Sequence, residues 1–586
     1  MTHARRDRVR DLVLSSVLAL VILGPVLLRR GFALRGDMVL VPHQPWKDGW
    51  LALDGSAPRF VPGDAVLWAL TSVLPGDLVQ KALLLGALVL AGIGAGRLVA
   101  DHAWPGRSAA IVLFVWNPWV LERLSIGQWG SVVGYAALPC VVLAAARARD
   151  DDTRGAWSVL TLWLAFTALW SPSSALVGAL TAFCVVAVGR HARAALVTLG
   201  LAAVVNLPWL VPSLVNGDRI DSPAAQFEAF AGRAESGAGL LASVASLGGI
   251  WKSSVVPHER TLALVVLASC LTTIIALVAL WRSRAGLDPS ARSTRTGLAL
   301  LAVVAVALTL LPAVPVLTEA FDAVARHIGA LSALRDGHRF LGPAALVLLP
   351  GIAVAADGLW RAARPGREAV RAVAVLVAVL PALCLPSMAW GLGGDLRPVT
   401  YPGEWFRAKA VIGADLAERG GSTVVLPWHG TYRGFAWNDR RAILDPAPRF
   451  FDGEVLIDDR IYLGDSTGSR VLGNEDPELA AVTDALADED VALALAAQGV
   501  GRVLVEKGNG VRPEQVPTGR ILHDGPLLTV VEVAGPAPSE PLGTARRGVI
   551  VAGDVLAVLA CLVASACILR RRVYGEPAVD SGRGNE

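Results

Sequence analysis

Apolar residues run along this chain in long blocks, separated by short polar connections. The first block, LVLSSVLALVILGPVLL at 12–28, carries no charge. A stretch of about 20 predominantly apolar residues is long enough to cross the hydrocarbon core of a bilayer as a helix. On this criterion twelve spans are predicted, near 12–28, 79–100, 107–121, 129–146, 157–170, 173–189, 194–214, 261–281, 297–318, 341–360, 372–392 and 548–569. No small-x-small cleavage pattern follows the first block before Arg29 and Arg30, so it reads as a retained span rather than a signal peptide.

Every second connection is short and basic. With the N-terminus inside, the inner segments hold Arg5, Arg6, Arg8 and Arg10, then Arg147, Arg149 and Arg154, then Arg190 and Arg193. Arg282, Arg284, Arg292 and Arg295 follow, then Arg361, Arg364, Arg367 and Arg371, and finally Arg570 to Arg572. Basic residues favour the cytoplasmic side, so both termini are expected there. The longer connections, 29–78, 215–260, 319–340 and 394–547, then face outward. The last alternates strand-like runs (STVVLPW, RVLVEKG, LLTVVEV) with helix-like ones (AKAVIGADLAERG, DPELAAVTDALADEDVALALAAQG), which is an α/β or α+β pattern. The expected fold is a polytopic α-helical membrane protein. Residues 1–393 form the multi-span part with a first outer loop at 29–78, residues 394–547 an extracytoplasmic α/β domain, and residues 548–586 the last span and tail.

Composition agrees with this pattern. Hydrophobic residues make up 54% and charged residues 18%, against roughly 25% charged in soluble domains. This argues against an ordinary soluble enzyme and against a disordered chain. The net charge of +3 is small and the arginines are scattered between spans, which argues against a nucleic-acid partner. Cys140, Cys184, Cys270, Cys384, Cys561 and Cys567 all fall in apolar blocks, with no disulfide framework and no metal spacing. No phosphate-binding or dinucleotide glycine motif occurs, so no nucleotide is expected.

Candidate chemistry gathers at the outer ends of spans. Asp37 follows the first span and can act as a general base on a hydroxyl, with His43 six residues on; the alternative is an Asp that closes a turn after Gly36. NPWVLERLSIGQWG at 117–130 brings Glu122, Arg123 and Gln128 into one short hairpin, and ALRDGHRFLGP at 333–343 offers Arg335, Asp336, His338 and Arg339. Arginine suits bidentate phosphate recognition, although such residues also serve as interfacial anchors. In LPWHGTYRGFAWNDRR at 426–441, Trp428, His429, Tyr432, Arg433 and Trp437 could hold a carbohydrate or pack the domain onto the helices. Trp46, Trp50, Trp116, Trp119, Trp129, Trp170, Trp209, Trp281, Trp360 and Trp390 lie near span ends, as an aromatic belt or as sugar platforms.

The segments GDMVLVPHQPW, NPWVLERLSIGQWG, NLPWLVPS and LRDGHRF resemble the membrane part of actinobacterial α-(1→3)-arabinofuranosyltransferases and related membrane proteins. The arrangement as a whole resembles the GT-C class of membrane glycosyltransferases. Where members of that class carry paired acidic residues in the first outer loop, Asp37 stands between Gly36 and Met38. The resemblance implies transfer of arabinofuranose or mannose from a polyprenyl-phosphate donor to a cell-envelope glycan or glycolipid, at the outer face of the plasma membrane. It implies Asp37 as base, Arg123, Arg335 and Arg339 on the donor phosphate, and His43, Glu122, Gln128, Asp336 and His338 as orienting groups. The α/β domain would hold the glycan acceptor. No cofactor is assigned, and a divalent metal stays open. The rival reading is a non-catalytic protein that transports or tethers an envelope lipid or glycan. Acyl transfer ranks last, because no nucleophile-elbow pattern occurs.

Overall fold

The structure is a computed structural model that describes residues 3–188, 192–217, 226–325, 327, 331, 334–363, 368–465, 468–474, 476–537 and 542–574. Arg190, Arg364 and Arg367 of the basic connections lie outside the described residues. The chain is 67% helical, as expected of a polytopic helical protein. Among the described residues eight helices are long and apolar enough to cross a membrane: Arg5–Leu28, Gly76–Leu98, Trp129–Asp151, Ala192–Val215, Ala263–Arg282, Pro289–Ala313, Gly337–Ala362 and Thr544–Arg571. Glu368–Leu383 and Pro386–Leu392, bent by 64°, make a ninth if they form one span.

The other three expected spans are helical but short. Arg154–Ala168 and Pro172–Ala187 have 15 and 16 residues, so the longer reaches only about 24 Å at 1.5 Å per residue, against a core of about 30 Å. The span expected at 107–121 breaks into Trp104–Val115 and Pro118–Ser125. Pro118 forces the residue before it out of the helical region, and Asn117 is extended at φ −147°, ψ 164°. Its side chain then accepts from the Val120 amide at 3.1 Å, so the break is also a capped helix start. That break turns Glu122 and Arg123 into the interior, where both are fully buried.

The tryptophans divide in the same way. Trp46, Trp281, Trp360 and Trp390 are exposed, while Trp116, Trp119, Trp129, Trp170 and Trp209 are buried. The belt reading therefore does not hold for the second group.

The α/β segment is built on a five-stranded mixed sheet. Its strands are β1 (Ser422–Leu426), β2 (Val455–Leu456), β3 (Val500–Glu506), β4 (Ile521–Asp524) and β5 (Leu528–Glu532), in the order β4-β5-β3-β1-β2. β1 runs parallel to β2 and β3, and β5 antiparallel to β3 and β4. Alternate residues of a strand face opposite sides. Val424, Leu426, Val503 and Val505 accordingly pack with Leu479, Val482 and Leu495 from helices Pro477–Ala485 and Val491–Ala497. Val425 and Leu504 join Trp405 and Ile412 of helix Gly403–Arg419, in a core continuous with that of the helical bundle.

The first loop ties sheet and bundle together. Phe32 and Ala33 pair antiparallel with Val399 and Pro398. The Gly36 amide donates to the Ala442 carbonyl at 3.0 Å, and the Leu444 amide to the Gly36 carbonyl at 2.8 Å. On its other side the Asp37 amide donates to the Ile126 carbonyl at 2.9 Å. Two glycines allow this close approach. Gly36 has φ +53° and Gly127 φ +87°; a Cβ on Gly127 would stand 2.1 Å from the Arg35 carbonyl oxygen. Alanine at 127 combines a disfavoured backbone conformation with a backbone clash, so Gly127→Ala is expected to cost more than about 1 kcal/mol. A lowered thermal midpoint of the purified full-length protein would register it; an unchanged midpoint would show that the loop accommodates the methyl.

Candidate functional site

A cavity of about 410 Å³ lies where the first loop, the helical bundle and the α/β segment meet. Its polar wall includes Asp37, Gln128, Arg335, Arg339 and Tyr432, and its apolar wall includes Phe60, Trp129, Trp170 and Trp209. The aromatic wall is contiguous: Trp129 meets Phe60 at 5.4 Å and Trp170 at 5.7 Å between ring centroids. Ser171 caps Pro172–Ala187 and starts that helix at the cavity edge.

Asp37 is half-buried, and neutral groups hold both its oxygens. The Tyr432 hydroxyl donates to Oδ1 and the Gln128 amide to Oδ2, the latter at 3.2 Å. No ion pair engages Asp37 among the described residues. A carboxylate offers about four acceptor positions, so two remain for a hydroxyl entering the cavity. Desolvation at the cavity wall first, and then the Asp37 charge, push the Tyr432 phenol well above the ordinary tyrosine value, which keeps it a donor. The Lys252 ammonium lies 4.9 Å from the Tyr432 ring centroid. Burial lowers its pKa, opposed by Asp37 and assisted by Arg35.

Behind Gln128 stands a buried ionic chain. The Arg123 guanidinium donates to Gln128 Oε1 at 2.5 Å, to Asp336 Oδ2 at 2.7 Å and to Asp336 Oδ1 at 3.1 Å. Arginine has no acceptor, so this contact fixes the Gln128 amide with its nitrogen toward Asp37. Burial would raise the Asp336 carboxyl, but Arg123 and Arg339 hold it below the usual carboxylate range. The His338 ring lies against Arg123 on one side and 3.3 Å from Glu122 Oε2 on the other.

The expected site residues divide between the cavity wall and the layers behind it. Arg123 is fully buried and its charge is taken up by Asp336, so it orients Gln128 instead of lining the cavity. Glu122, Asp336 and His338 lie behind the wall for the same reason. His43 bonds the Thr71 carbonyl through Nδ1 at 2.9 Å, outside the cavity lining. The glycan-holding set disperses: Trp428 is buried and donates to Thr483 at 2.9 Å, and Arg433 is locked between Asp445 and Glu506 at 3.2 and 3.0 Å. Trp437 packs on Phe435, Tyr401 and Trp405. His429 is exposed against Tyr462, and Tyr432 alone of the five lines the cavity. Arg335 and Arg339 do line it; Arg339 donates to Asp336 at 3.1 Å, and Arg335 to Gln226 at 3.3 Å.

Sequence reasoning missed other groups. Arg59, bound to Asp459 at 2.8 Å, and Arg449, bound to Asp64 at 3.1 and 3.0 Å, complete the rim. Glu235 and Arg260 form a buried pair near Glu122. Among the described residues no cluster of three or more His, Cys, Asp or Glu could hold a metal ion.

Lys47, in the same loop as Asp37, has a buried ammonium without a hydrogen-bond partner. Burial pushes its pKa from 10.5 down to about 7, against the attraction of Asp452 and Glu454. Between those two values the unfolded chain binds the proton and the folded one does not. Stability from this residue therefore rises with pH across that window and is flat below it. Thermal midpoints between pH 7 and pH 9 are expected to climb more steeply in wild type than in Lys47→Met; parallel curves would contradict the assignment. The sequence matches no family model and no curated protein.

Proposed function

We propose that the chain transfers a sugar, arabinofuranose or mannose, from a polyprenyl-phosphate donor to a cell-envelope glycan or glycolipid. In this reading the α/β segment lies on the extracytoplasmic side of the plasma membrane and both termini are cytoplasmic. One observation carries it: Asp37, held by neutral donors, shares a cavity with Arg335 and Arg339 and with a tryptophan-lined apolar wall. A base, a cationic patch and an apolar wall are what an acceptor hydroxyl, a lipid phosphate and its isoprenoid chain require. The resemblance of the 36–46, 117–130 and 334–340 segments to the membrane part of arabinofuranosyltransferases supports the same reading.

The step balances without a nucleotide. Asp37 takes the proton of the acceptor hydroxyl as its oxygen bonds to the anomeric carbon. The bond from that carbon to the phosphate oxygen breaks, and the lipid phosphate leaves with the electron pair. Arg335 and Arg339 meet the charge that grows on it, which is where preorganised cations contribute most. Tyr432 and Gln128 hold the base at a fixed angle.

Incubating purified protein with radiolabelled polyprenyl-phosphate arabinose or mannose and envelope glycan tests this reading. Label passes into the glycan if the reading is right. No transfer from either donor returns the chain to the transport or tethering alternative. Tyr432→Phe removes one hydrogen bond to a charged group, worth about 1.5–3 kcal/mol. It is expected to lower kcat about ten-fold or more with little change in KM; an unchanged kcat would remove Tyr432 from the positioning scheme.

A further inference from the structure

Arg433 follows Tyr432 in the short strand Tyr432–Arg433 and takes the opposite face. There it is sealed with two carboxyls, Asp445 and Glu506; all three side chains are at most 1% exposed. The outer nitrogens of the guanidinium hold the backbone. Nη1 donates to the Gly430 carbonyl at 2.7 Å and the Tyr432 carbonyl at 3.3 Å, and Nη2 to the Pro427 carbonyl at 2.8 Å. Nε is turned to the carboxyls and donates to Glu506 Oε2 at 3.0 Å. Asp445 Oδ1 accepts from the Ala447 amide at 2.9 Å.

Two oxygens are left over. Asp445 Oδ2 and Glu506 Oε1 are buried and accept no hydrogen bond among the described residues, yet the two carboxyls lie within hydrogen-bond reach of each other. Two carboxylates on one guanidinium would also leave a net negative charge away from water, which is costly. One proton between Oδ2 and Oε1 removes both faults: it gives each oxygen a partner and makes the cluster neutral. Burial first, and then the Asp445 charge, push the Glu506 carboxyl well above the ordinary glutamate value, with Arg433 opposing. Among the described residues Tyr401 also feels Asp445; its phenol donates to the Leu40 carbonyl at 3.0 Å and is held neutral by burial.

We propose that Asp445 and Glu506 share one proton at neutral pH, and that this proton seats Tyr432 on Asp37. The link is short. The Asp445 amide donates to the Thr431 carbonyl at 2.9 Å, the Leu444 amide donates to the Gly36 carbonyl, and Tyr432 pairs with Leu444. Arg433 holds the turn that leads into Tyr432. When the proton leaves, two buried carboxylates repel across this joint, and the strand pair that presents Tyr432 loosens. Glu506 is thereby a positioning residue. Its bearing on turnover rests on the transfer reading above; the shared proton does not.

Glu506→Gln and Asp445→Asn imitate the protonated partner, since each amide donates a hydrogen bond to the other carboxylate and carries no charge. A carboxyl raised in the folded state keeps its proton where the unfolded chain has lost it. Stability from the pair is therefore full below the ordinary carboxyl value and falls as pH rises through the raised one. Thermal midpoints of full-length wild type in detergent fall, relative to those of either variant, as pH rises from mildly acidic to mildly alkaline, by about 1–4 °C per pH unit. Hydrogen exchange of peptides spanning 430–445 matches in acid for wild type and variants, and in alkali is faster in wild type. Parallel midpoints for wild type and both variants overturn the shared proton, and equal exchange in alkali overturns its tie to Tyr432, whether or not the protein transfers sugar. Failure of both isosteres to fold also overturns the proposal, because each keeps the contacts of the protonated pair. In an active transferase kcat falls with rising pH more steeply in wild type than in Glu506→Gln; equal pH profiles overturn the positioning role.

Discussion

Asp37→Asn is expected to lower sugar transfer by about 10²–10⁴-fold, the range spanned by a positioned general base. The substitution keeps size and shape. Gln128 and Tyr432 can still reach the new side chain, and the backbone bonds from Gly36 and Asp37 to Ala442 and Ile126 do not involve it. The folded state should therefore survive, with a thermal midpoint close to wild type. What is lost is the capacity to take a proton from the acceptor. The effect should fall on kcat, since the carboxylate's advantage over the amide appears as the proton moves. Steady-state kinetics on the two purified proteins checks this. A variant within about two-fold of wild type in kcat would remove Asp37 from the mechanism.

Arg339→Gln should be the next most damaging change, by about 10²–10³ in kcat, comparable to deleting one preorganised donor to a developing negative charge. Arg339 is suited to that role because its other duty is shared. Asp336 keeps Arg123 at 2.7 Å when Arg339 is removed, so the buried carboxylate is not left unpaired. The Arg339 side chain is 33% exposed and lines the cavity, whereas Arg123 is fully buried. Arg339→Lys keeps the charge but loses the planar fork, and should recover only part of the rate. Arg335 is braced by Gln226 and lies 5.1 Å from the Phe230 ring, and its replacement should cost less than that of Arg339. Equal rates for wild type and Arg339→Gln would move the phosphate elsewhere.

The helices were legible because lipid leaves the backbone no alternative: an apolar run must close its own hydrogen bonds. Among the described residues each of the twelve apolar blocks contains helix, but block length overstates helix length where a capping residue and a proline intervene. Asn117-Pro118 is such a place, inside the block expected at 107–121. The strands of the sheet core could be read from alternation in STVVLPW and RVLVEKG, whose odd and even residues now face different cores. Strand β2, two residues long and held by its neighbour, left no period to read.

For the candidate site, residue type singled out Asp37, Gln128, Arg335, Arg339 and Tyr432, which line one cavity, yet the sequence could not say which face inward or toward one another. Asp37 and Tyr432 are 395 positions apart. Their meeting depends on Gly36 sitting between the 126–127 turn and the 442–444 strand, a contact with no local signature. Arg123 and Arg433 show the opposite failure. Each has the chemistry of a ligand-binding arginine, and each is consumed by buried carboxylates that only the fold brings near.

The most direct test of the central claim is a stoichiometry. Purified wild-type protein, given polyprenyl-phosphate sugar and glycan acceptor, should release one polyprenyl phosphate for each glycosidic bond formed, and Asp37→Asn should do neither at a comparable rate. Glycosidic product without lipid phosphate, or equal release by both proteins, would contradict transfer at Asp37 from this donor.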